Sequence, residues 1–582
     1  DTVPSRSRGN IPSRSCRMKL VVRVIALLLV GVVSAAELPT EQATVQVTLQ
    51  QGAITGSREE AINGRVYYSF KSIPYAKPPV GPLRFKNPEP ADPWSGVRNG
   101  SLPIPKCPQT SIFILGRHPI EGQEDCLYLN VYTPQPYLSN LPVMVYIHGG
   151  AFLVGTAAEG GSPAPLMQKD IVLVTMNYRL GALGFLSTED SVLPGNLGLK
   201  DQTLALQWVQ DNIMNFGGDP NQVTIFGISA GGISAHLHVL SPNSVGLFHR
   251  AIMQSGTALL ATITSPRRGA ISISKALNCS GPTESHQLLE CFKNATMEDL
   301  VEAQNSLNEW YDLPLTVGPC VDGSFLPQHP ASLLRLARYN DNVDIMTGTV
   351  HDEGNLITAG LFSKAGEEAL QQLNDNFNKV GPILLGVTNE ENPVYLARRV
   401  FLRYMSDLNV TMDDEPALTK LIGDQAFTTH SLQSAGFHAK RTSSKTFMYE
   451  LQQTLEKPIM SLFTNTSIER EMAGHGDDIL YLFQFPEFME PLHRPQDLHV
   501  QETFLTLWTN FASTGNPTIN GDLGFRWAPV TPSDPLRYLS ITTTPTMQQA
   551  DRSLLNFWNS LPTETTKLLY PELFLQDVKQ EL

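Results

Sequence analysis

The chain has 582 residues, of which 41% are hydrophobic and 17% are charged. This composition can fill a large apolar core and is too hydrophobic for an intrinsically disordered protein. The formal net charge of −14 argues against a nucleic-acid-binding protein, because a polyanion would be repelled. The sequence shows no repeat, no low-complexity tract and no linker-like stretch, so we expect one large domain.

The N-terminal region predicts segments that are absent from the mature protein. Residues 1–17 are rich in Arg and Ser, and we interpret them as leader or untranslated sequence. Residues 18–36 have the build of a secretory signal peptide, with Lys19 and Arg23 before an apolar run that ends in small residues. The apolar run is too short to span a bilayer. We therefore expect a single mature domain at residues 37–582 and entry into the secretory pathway.

We interpret the cysteines and the glycosylation sequons as those of a protein that enters the secretory pathway. We pair Cys107 with Cys126 and Cys279 with Cys291, because each pair encloses a short segment, although spacing alone does not fix connectivity. Cys320 lies among apolar residues and is predicted to be a buried, unreactive side chain. Sequons for N-glycosylation occur at Asn99, Asn278, Asn294, Asn409 and Asn465.

Continuous apolar runs rich in β-branched residues predict strands that are buried on both faces. Between two of these runs, Gln202–Phe216 places apolar residues on one helical face. Strand, helix and strand in series predict an α/β fold with a mainly parallel sheet and helices on each side. The predicted strands are Val143–Ile147, Ile171–Met176, Val223–Phe226, Ala251–Met253, Val343–Met346 and Phe447–Leu451.

A glycine-rich turn, His148–Phe152, follows the first of these runs. Its N–H groups can point toward the negative charge that develops on a carbonyl oxygen during acyl transfer. Without a nucleophile elsewhere, a simple strand-ending turn would be the preferred interpretation. With a nucleophile, we expect the backbone N–H groups of Gly150, Ala151 and Ala230 to form an oxyanion hole.

The third run ends on a serine that lies between two glycines, Gly227-Ile228-Ser229-Ala230-Gly231. A strand that enters a very tight turn forces the apex side chain outward, and small residues two positions away lower the steric cost. The pattern predicts a nucleophile elbow that lifts the Ser229 hydroxyl above the sheet at the start of a helix. Such a pattern also arises by chance around inert serines, but the preceding strand favours the elbow. His236 and His238 on that helix are expected to pack or to face solvent.

A serine hydroxyl needs a general base, and an acid and a histidine are expected to follow it on loops after later strands. The loop after the fifth run carries Glu353, and the segment beyond the sixth run carries His475. Composition alone does not separate Glu353 from its neighbouring acids, which are Asp352, Asp477 and Asp478.

The chain resembles the type-B carboxylesterases, the family that includes cholinesterases and insect juvenile hormone esterases. The likeness runs nearly end to end and is carried by EDCLYLNVYTP, VYIHGGAF, the run from Asp201 to Gly232, HDEG and GHGDD. It implies an α/β-hydrolase fold, in which a large and mostly parallel central sheet carries helices on both faces. It also implies a Ser-Glu-His triad, which selects Ser229, Glu353 and His475, and it supports the two cysteine pairs.

Two departures from the family pattern lie close to the expected site. Ile228 stands where glutamate is usual, and Ala151 stands where a third glycine is common. The segment between Cys107 and Cys126 lacks the tryptophan on which cholinesterases stack a quaternary ammonium, so choline esters are not expected as preferred substrates. The resemblance implies hydrolysis of small-molecule carboxylic esters through an acyl-enzyme, without a metal or an organic cofactor.

Two other functions are weighed against this expectation. A hormone-specific esterase for a juvenoid methyl ester is the closer alternative, because its usual elbow also departs from glutamate. A non-catalytic adhesion or binding protein that resembles neuroligins is the more distant one, because such relatives usually lose the serine and carry a membrane anchor.

The C-terminal KQEL is similar to a KDEL-type signal and predicts the lumen of the endoplasmic reticulum, with secretion as the alternative. We expect no membrane span and no lipid anchor, and the sequence does not predict the oligomeric state.

Overall fold

The central sheet contains every strand that the sequence predicts. A computed structural model describes residues 45–112, 119–136, 140–158, 161–260, 265–279, 281, 284–441, 443–461, 470–519, 521 and 523–575. These residues all fall within one compact unit of the chain. The predicted leader, the signal peptide, the Asn465 sequon and the C-terminal KQEL lie outside them.

The α/β class is confirmed by a 13-stranded sheet with the order β1-β2-β3-β5-β7-β6-β8-β9-β10-β11-β12-β13, and β4 pairs with β2. The strands are β1 (Val45–Thr48), β2 (Ala53–Glu60), β3 (Val66–Pro74), β4 (Val97–Asn99), β5 (Tyr128–Thr133), β6 (Leu141–Ile147), β7 (Val172–Met176), β8 (Gly218–Ile228), β9 (Arg250–Gln254), β10 (Asp344–Val350), β11 (Thr446–Leu451), β12 (Arg537–Ile541) and β13 (Thr546–Gln549).

The middle of the sheet is parallel. Neighbouring strands from β7 through β6, β8, β9, β10 and β11 to β12 all run in the same direction. The strands β1, β2, β3, β5 and β13 add antiparallel pairs at the two ends. Because the central strands are parallel, their carboxyl ends meet at one edge of the sheet, where ligands bind in folds of this kind.

Helices pack on both faces of this sheet. Along β6, Val143, Val145 and Ile147 belong to one apolar cluster, whereas Met144 and Tyr146 belong to the other. This alternation follows from the two-residue period of a strand. The helices that the structure describes are α1 (Gly181–Phe185), α2 (Leu197–Asn212), α3 (Ala230–Leu240), α4 (Pro266–Ala276), α5 (Ser285–Asn294), α6 (Met297–Asn305), α7 (Pro330–Leu336), α8 (Asn355–Leu361), α9 (Glu367–Asp375), α10 (Phe377–Leu384), α11 (Pro393–Tyr404), α12 (Glu415–Gly423), α13 (Thr429–His438), α14 (Pro495–Thr514), α15 (Arg552–Asn559), α16 (Glu564–Leu569) and α17 (Pro571–Phe574).

The helix predicted at Gln202–Phe216 is confirmed, with a different start and a different final turn. α2 begins at Leu197, because Leu197 and Leu199 are also buried in the core. Its last turn, Ile213–Phe216, is a 3-10 helix. The apolar face that the sequence predicts is buried, and it contains Ala205, Trp208, Val209, Ile213 and Phe216.

Both predicted disulfides are formed, one between Cys107 and Cys126 and one between Cys279 and Cys291. Cys320 is free and buried, as expected. Four of the predicted sequon asparagines are exposed, and their glycosylation stays a prediction: Asn99, Asn278, Asn294 and Asn409. Within the described ranges, no helix combines the length and the apolar character needed to cross a bilayer.

Candidate active site

Ser229 lies between β8 and α3 at the carboxyl edge of the sheet. Its backbone has φ 56° and ψ −122°, a conformation that residues with a side chain rarely adopt. Two hydrogen bonds hold it there: its N–H donates to the Gln254 carbonyl at 2.8 Å, and its carbonyl accepts from Ile233 N–H at 2.9 Å. This is the strained strand-to-helix turn that a nucleophile elbow requires.

The glycines of the elbow lie directly against the end of β6. A Cβ atom at Gly227 would lie 2.3 Å from the Ile147 carbonyl oxygen, and one at Gly231 would lie 2.0 Å from the same atom. No residue larger than glycine fits at these positions unless the backbone moves. The glycine pattern in the sequence therefore reflects the close approach of two backbones.

The glycine-rich turn after β6 lies beside the elbow. A Cβ atom at Gly149 would lie 3.3 Å from Cβ of Ser229. Gly150, Ala151 and Phe152 follow in succession with φ values of 101°, 53° and 62°, so the chain curls in a left-handed sense next to the serine. Among the described residues, the N–H groups of Gly150, Ala151 and Ala230 donate no hydrogen bond. These three donors remain the expected oxyanion hole.

The ring of His148 packs against Tyr178 and hydrogen-bonds to this turn. It stacks on Tyr178 with ring centroids 4.4 Å apart, and its Nδ1 lies 2.8 Å from the Gly149 carbonyl oxygen. The Tyr178 hydroxyl donates to the His148 carbonyl at 3.0 Å. Burial lowers the pKa of His148 to about 4, so the ring is neutral at physiological pH and Nδ1 is the donor to Gly149.

Glu353 and His475 form a buried pair on the loops beyond β10 and β11. Oε2 of Glu353 accepts a hydrogen bond from Nδ1 of His475 at 2.6 Å. The second carboxylate oxygen accepts from Val350 N–H at 2.9 Å. The two residues are only 1% and 6% exposed, respectively. Because the carboxylate oxygen accepts, Nδ1 carries the proton, and Nε2 is the ring nitrogen that is able to act as a base.

Known proteins resemble this chain over most of its length. The sequence model of the group described as "Carboxylesterase family" matches residues 43–558. The chain belongs to the carboxylesterase family. It is 35% identical over 537 residues to Esterase FE4 of Myzus persicae, which covers 89% of this chain and 92% of the relative. Juvenile hormone esterase of Tribolium castaneum is 37% identical over 503 residues (82% and 85%), and a carboxylic ester hydrolase of Bombus ignitus is 34% identical over 565 residues (94% and 99%).

Family membership confirms the α/β-hydrolase fold and the ester hydrolase activity that the sequence predicts for this carboxylesterase. It does not favour the adhesion alternative. The individual catalytic roles stay predictions. Among the described residues the Ser229 hydroxyl makes no hydrogen bond to His475.

The three competing acids have other partners in the carboxylesterase. Asp352 accepts from Ala473 N–H and pairs with Arg470. Asp477 accepts from the N–H groups of Gly474 and Ile459. Within the described ranges, Glu353 is therefore the acid that bonds to the histidine.

Asp478 is the remaining acid, and it lies beneath the site. It accepts from Gln254 Nε2 and from the Tyr449 hydroxyl, each at 2.9 Å. Burial, with the charge of Glu353 as a further cause, raises the pKa of Asp478 to about 6. Since the Gln254 carbonyl also holds Ser229 N–H, Asp478 supports the elbow through one intermediate residue.

Two further residues hold the site and are not predicted from the sequence. Gln254 ends β9 and bonds to Ser229, and Asn355 accepts the His475 N–H at 2.7 Å through its side-chain oxygen. Each lies near a residue that the sequence did single out: Gln254 follows a predicted strand, and Asn355 lies two positions after Glu353. For Gln254 the available signal is a polar residue at the carboxyl end of a buried strand, whereas Asn355 opens α8 and has no such signal.

The two histidines of α3 pack in the interior and do not face solvent. Nε2 of His236 lies 2.9 Å from Nε2 of His438. Nε2 of His238 contacts the Gln202 side-chain oxygen at 2.9 Å, and its Nδ1 contacts the Ser244 hydroxyl at 2.7 Å. Of the two alternatives that the sequence left open for His236 and His238, packing is the one observed.

Proposed function

We propose that this carboxylesterase hydrolyses carboxylic esters through an acyl-enzyme on Ser229, with His475 as general base and Glu353 as the residue that orients it. The 2.6 Å hydrogen bond between Glu353 and His475 carries the proposal. It fixes the tautomer, so that Nε2 is the basic nitrogen, and it holds a counter-charge for the imidazolium. The strained elbow supports the assignment of Ser229 as the nucleophile.

The reaction has two steps of the same kind. Ser229 attacks the ester carbonyl while its proton passes to His475, Glu353 stabilises the imidazolium, and the same proton then goes to the leaving alcohol. Water repeats the sequence on the acyl-enzyme and releases the acid. Hydrogen bonds between a nucleophile and its base are often long or poorly aligned in a resting enzyme and tighten when substrate binds, so we expect the bond between Ser229 and His475 to form in the substrate complex.

The oxyanion of each tetrahedral intermediate is assigned to the backbone N–H groups of Gly150, Ala151 and Ala230. The left-handed turn beside Ser229 supports this assignment, because it aims successive N–H groups to one side. A single oxyanion donor is worth about 10²–10³ in kcat.

The proposed substrates are small carboxylic esters of several acyl and alcohol types. Relatives that share about a third of their residues with this chain include both a juvenile hormone esterase and a carboxylic ester hydrolase, so the family match does not select a hormone ester. We place the enzyme in the secretory pathway, and the two disulfides support this placement. Retention in the endoplasmic reticulum through KQEL, or release from the cell, belongs to the same proposal.

Hydrolysis of a graded series of acyl esters, with a juvenoid methyl ester among them, tests both the mechanism and the scope. We expect Ser229→Ala to lower kcat by about 10⁴–10⁶ on every substrate, because the nucleophile is lost. Ser234→Ala is the matched control, since Ser234 is a buried serine of α3, the helix that follows Ser229, and its hydroxyl accepts from Gln202. Equal rates for wild type and Ser229→Ala would contradict the mechanism, and one steep preference for the juvenoid would overturn the proposed range of substrates.

A further inference from the structure

One uninterrupted helical segment contacts Glu353 and His475 and also contacts α3, the helix that follows Ser229. It consists of α12 (Glu415–Gly423), a π-helix at Asp424–Thr428 and α13 (Thr429–His438), and we call it the bracing helix. π-helical turns are rare and often occur at functional sites. This π-helix lies beside His475.

The first part of the bracing helix packs against the loop that carries the acid. A Cβ atom at Gly423 would lie 3.2 Å from Cβ of Glu353. The contact is even closer at Gly354, the residue after Glu353. A Cβ atom at Gly354 would lie 2.0 Å from the Thr419 carbonyl oxygen. This contact leaves the Glu353 loop little freedom to move.

The last part is tied to the helix that begins at the nucleophile. Ala258 N–H donates to Nδ1 of His236 at 3.0 Å, so the ring proton of His236 lies on Nε2. That proton is donated to Nε2 of His438, 2.9 Å away, at the end of the bracing helix. Both histidines are at most 2% exposed.

The π-helix brings Phe427 against the catalytic imidazole. The ring centroids of Phe427 and His475 lie 4.7 Å apart with an interplanar angle of 34°, and Phe427 is 4% exposed. Glu353 fixes Nδ1 of the histidine, and Asn355 fixes its backbone N–H. These two contacts hold one ring nitrogen and the backbone of His475, whereas Phe427 packs against the imidazole ring itself.

We propose that Phe427 is a positioning residue for His475. Its ring keeps Nε2 aimed at the Ser229 hydroxyl, and its π-face stabilises the imidazolium that forms when the serine proton is transferred. The π-helix is the means by which the chain delivers this ring, between two ends that are anchored on Glu353 and on α3. The inference rests on the proposed function, because it assigns His475 as the base.

The test compares Phe427→Leu and Phe427→Tyr with Phe437→Leu. Phe437 is a phenylalanine of the same bracing helix that is 5% exposed and packs on Tyr570, 5.7 Å between ring centroids. We expect Phe427→Leu to lower kcat about tenfold with KM within twofold, because the ring contact acts mainly after substrate is bound. Phe427→Tyr keeps the aromatic face and should retain most of the activity, and Phe437→Leu should retain kcat. Titration of active sites with a fluorophosphonate gives the concentration of folded enzyme in each preparation.

The rate of serine labelling by the fluorophosphonate is the second readout, since it needs the same proton transfer but no particular ester. It should slow in Phe427→Leu by the same factor as kcat. Equal losses in Phe427→Leu and Phe437→Leu, or a change in KM alone, would overturn the inference while the esterase mechanism stands. A wild type that neither hydrolyses esters nor reacts with the reagent would overturn the proposed function, and the inference with it.

Discussion

The backbone of Ser229 is strained, and the strained conformation is the one that points the hydroxyl away from the sheet. A residue with a side chain at φ 56° and ψ −122° costs on the order of 1–3 kcal/mol, whereas glycine adopts this region freely. The greater freedom of glycine in the unfolded chain offsets about 0.4–1 kcal/mol of that gain. We therefore expect Ser229→Gly to be more stable than Ser229→Ala by about 1 kcal/mol, with both variants inactive, as measured by urea unfolding.

The same pair of substitutions at Ser234 provides the control. Ser234 lies inside α3, where glycine is about 1 kcal/mol less favourable than alanine, so the order of stability should reverse. If Ser229→Ala proves as stable as Ser229→Gly, the elbow is not strained and its geometry needs another explanation.

Individual residues of the site differed in how readily the sequence revealed them. Ser229 could be predicted because its glycine pattern is local and reflects a contact between neighbouring backbones. The residues alone could not separate Glu353 from Asp352, Asp477 and Asp478, since the contact with His475 joins loops that are 122 positions apart. Phe427 carries no local signal, because its role depends on which ring the folded chain places against it.

At the scale of elements, the β8-turn-α3 unit depends on its approach to β6. A methyl group at Gly231 would overlap the Ile147 carbonyl oxygen at 2.0 Å, and the contact is with backbone that has no alternative rotamer. We expect Gly231→Ala to lose at least about 3 kcal/mol of unfolding free energy and most of its activity, because either the strand or the elbow must shift. Urea unfolding and ester hydrolysis measure the two effects.

Gly436 is the matched glycine for this comparison. It lies inside α13, and the nearest atom to an added Cβ would be Cβ of Pro535, at 3.8 Å. Alanine is the better helix former, so Gly436→Ala should raise stability by up to about 1 kcal/mol and leave activity unchanged. A Gly231→Ala variant as stable as Gly436→Ala would mean that the elbow tolerates a side chain.

The elements were predicted where burial leaves a clear pattern. Strands β6 to β11 are covered on both faces, so each appears in the sequence as a continuous apolar run. β1 and β4 are short and partly exposed, and such strands give no run of this kind. The π-helix at Asp424–Thr428 was also missed, because a π-turn is fixed by the packing around it and not by its own residues.

At the scale of the whole molecule, burial leaves several titratable groups in their neutral forms. Burial lowers the pKa of His148 and His430 to about 4, of His236 and His238 to about 3, and of His438 well below 6.5. Burial acts in the opposite sense on carboxyl groups, raising the pKa of Asp478 to about 6 and that of Asp477 well above 3.8. The buried histidines and the buried aspartic acids make opposing contributions to stability as the pH changes. The histidines are more numerous, so their contribution is the larger one.

The sign of the pH dependence follows from this balance. Below about pH 6.5 these five histidines take up protons in the unfolded chain but not in the folded one, so stability falls as the pH falls. Each contributes up to about 1.4 kcal/mol per pH unit, and protonation of Asp477 and Asp478 in the folded state offsets part of this loss. We expect the unfolding free energy to decrease by about 4 kcal/mol from pH 6.5 to pH 5, as measured by urea unfolding at each pH.

Two histidine variants separate the buried groups from a partly exposed one. His238→Gln removes one neutral buried imidazole and should reduce the acid-induced loss by about 1 kcal/mol. The pKa of His351 is raised by its hydrogen bond to Asp352, so protonation of this residue stabilises the folded state at low pH. His351→Gln should therefore leave the loss undiminished or increase it. Stability that stays constant or rises between pH 6.5 and pH 5 would show that the buried histidines do not govern the acid response.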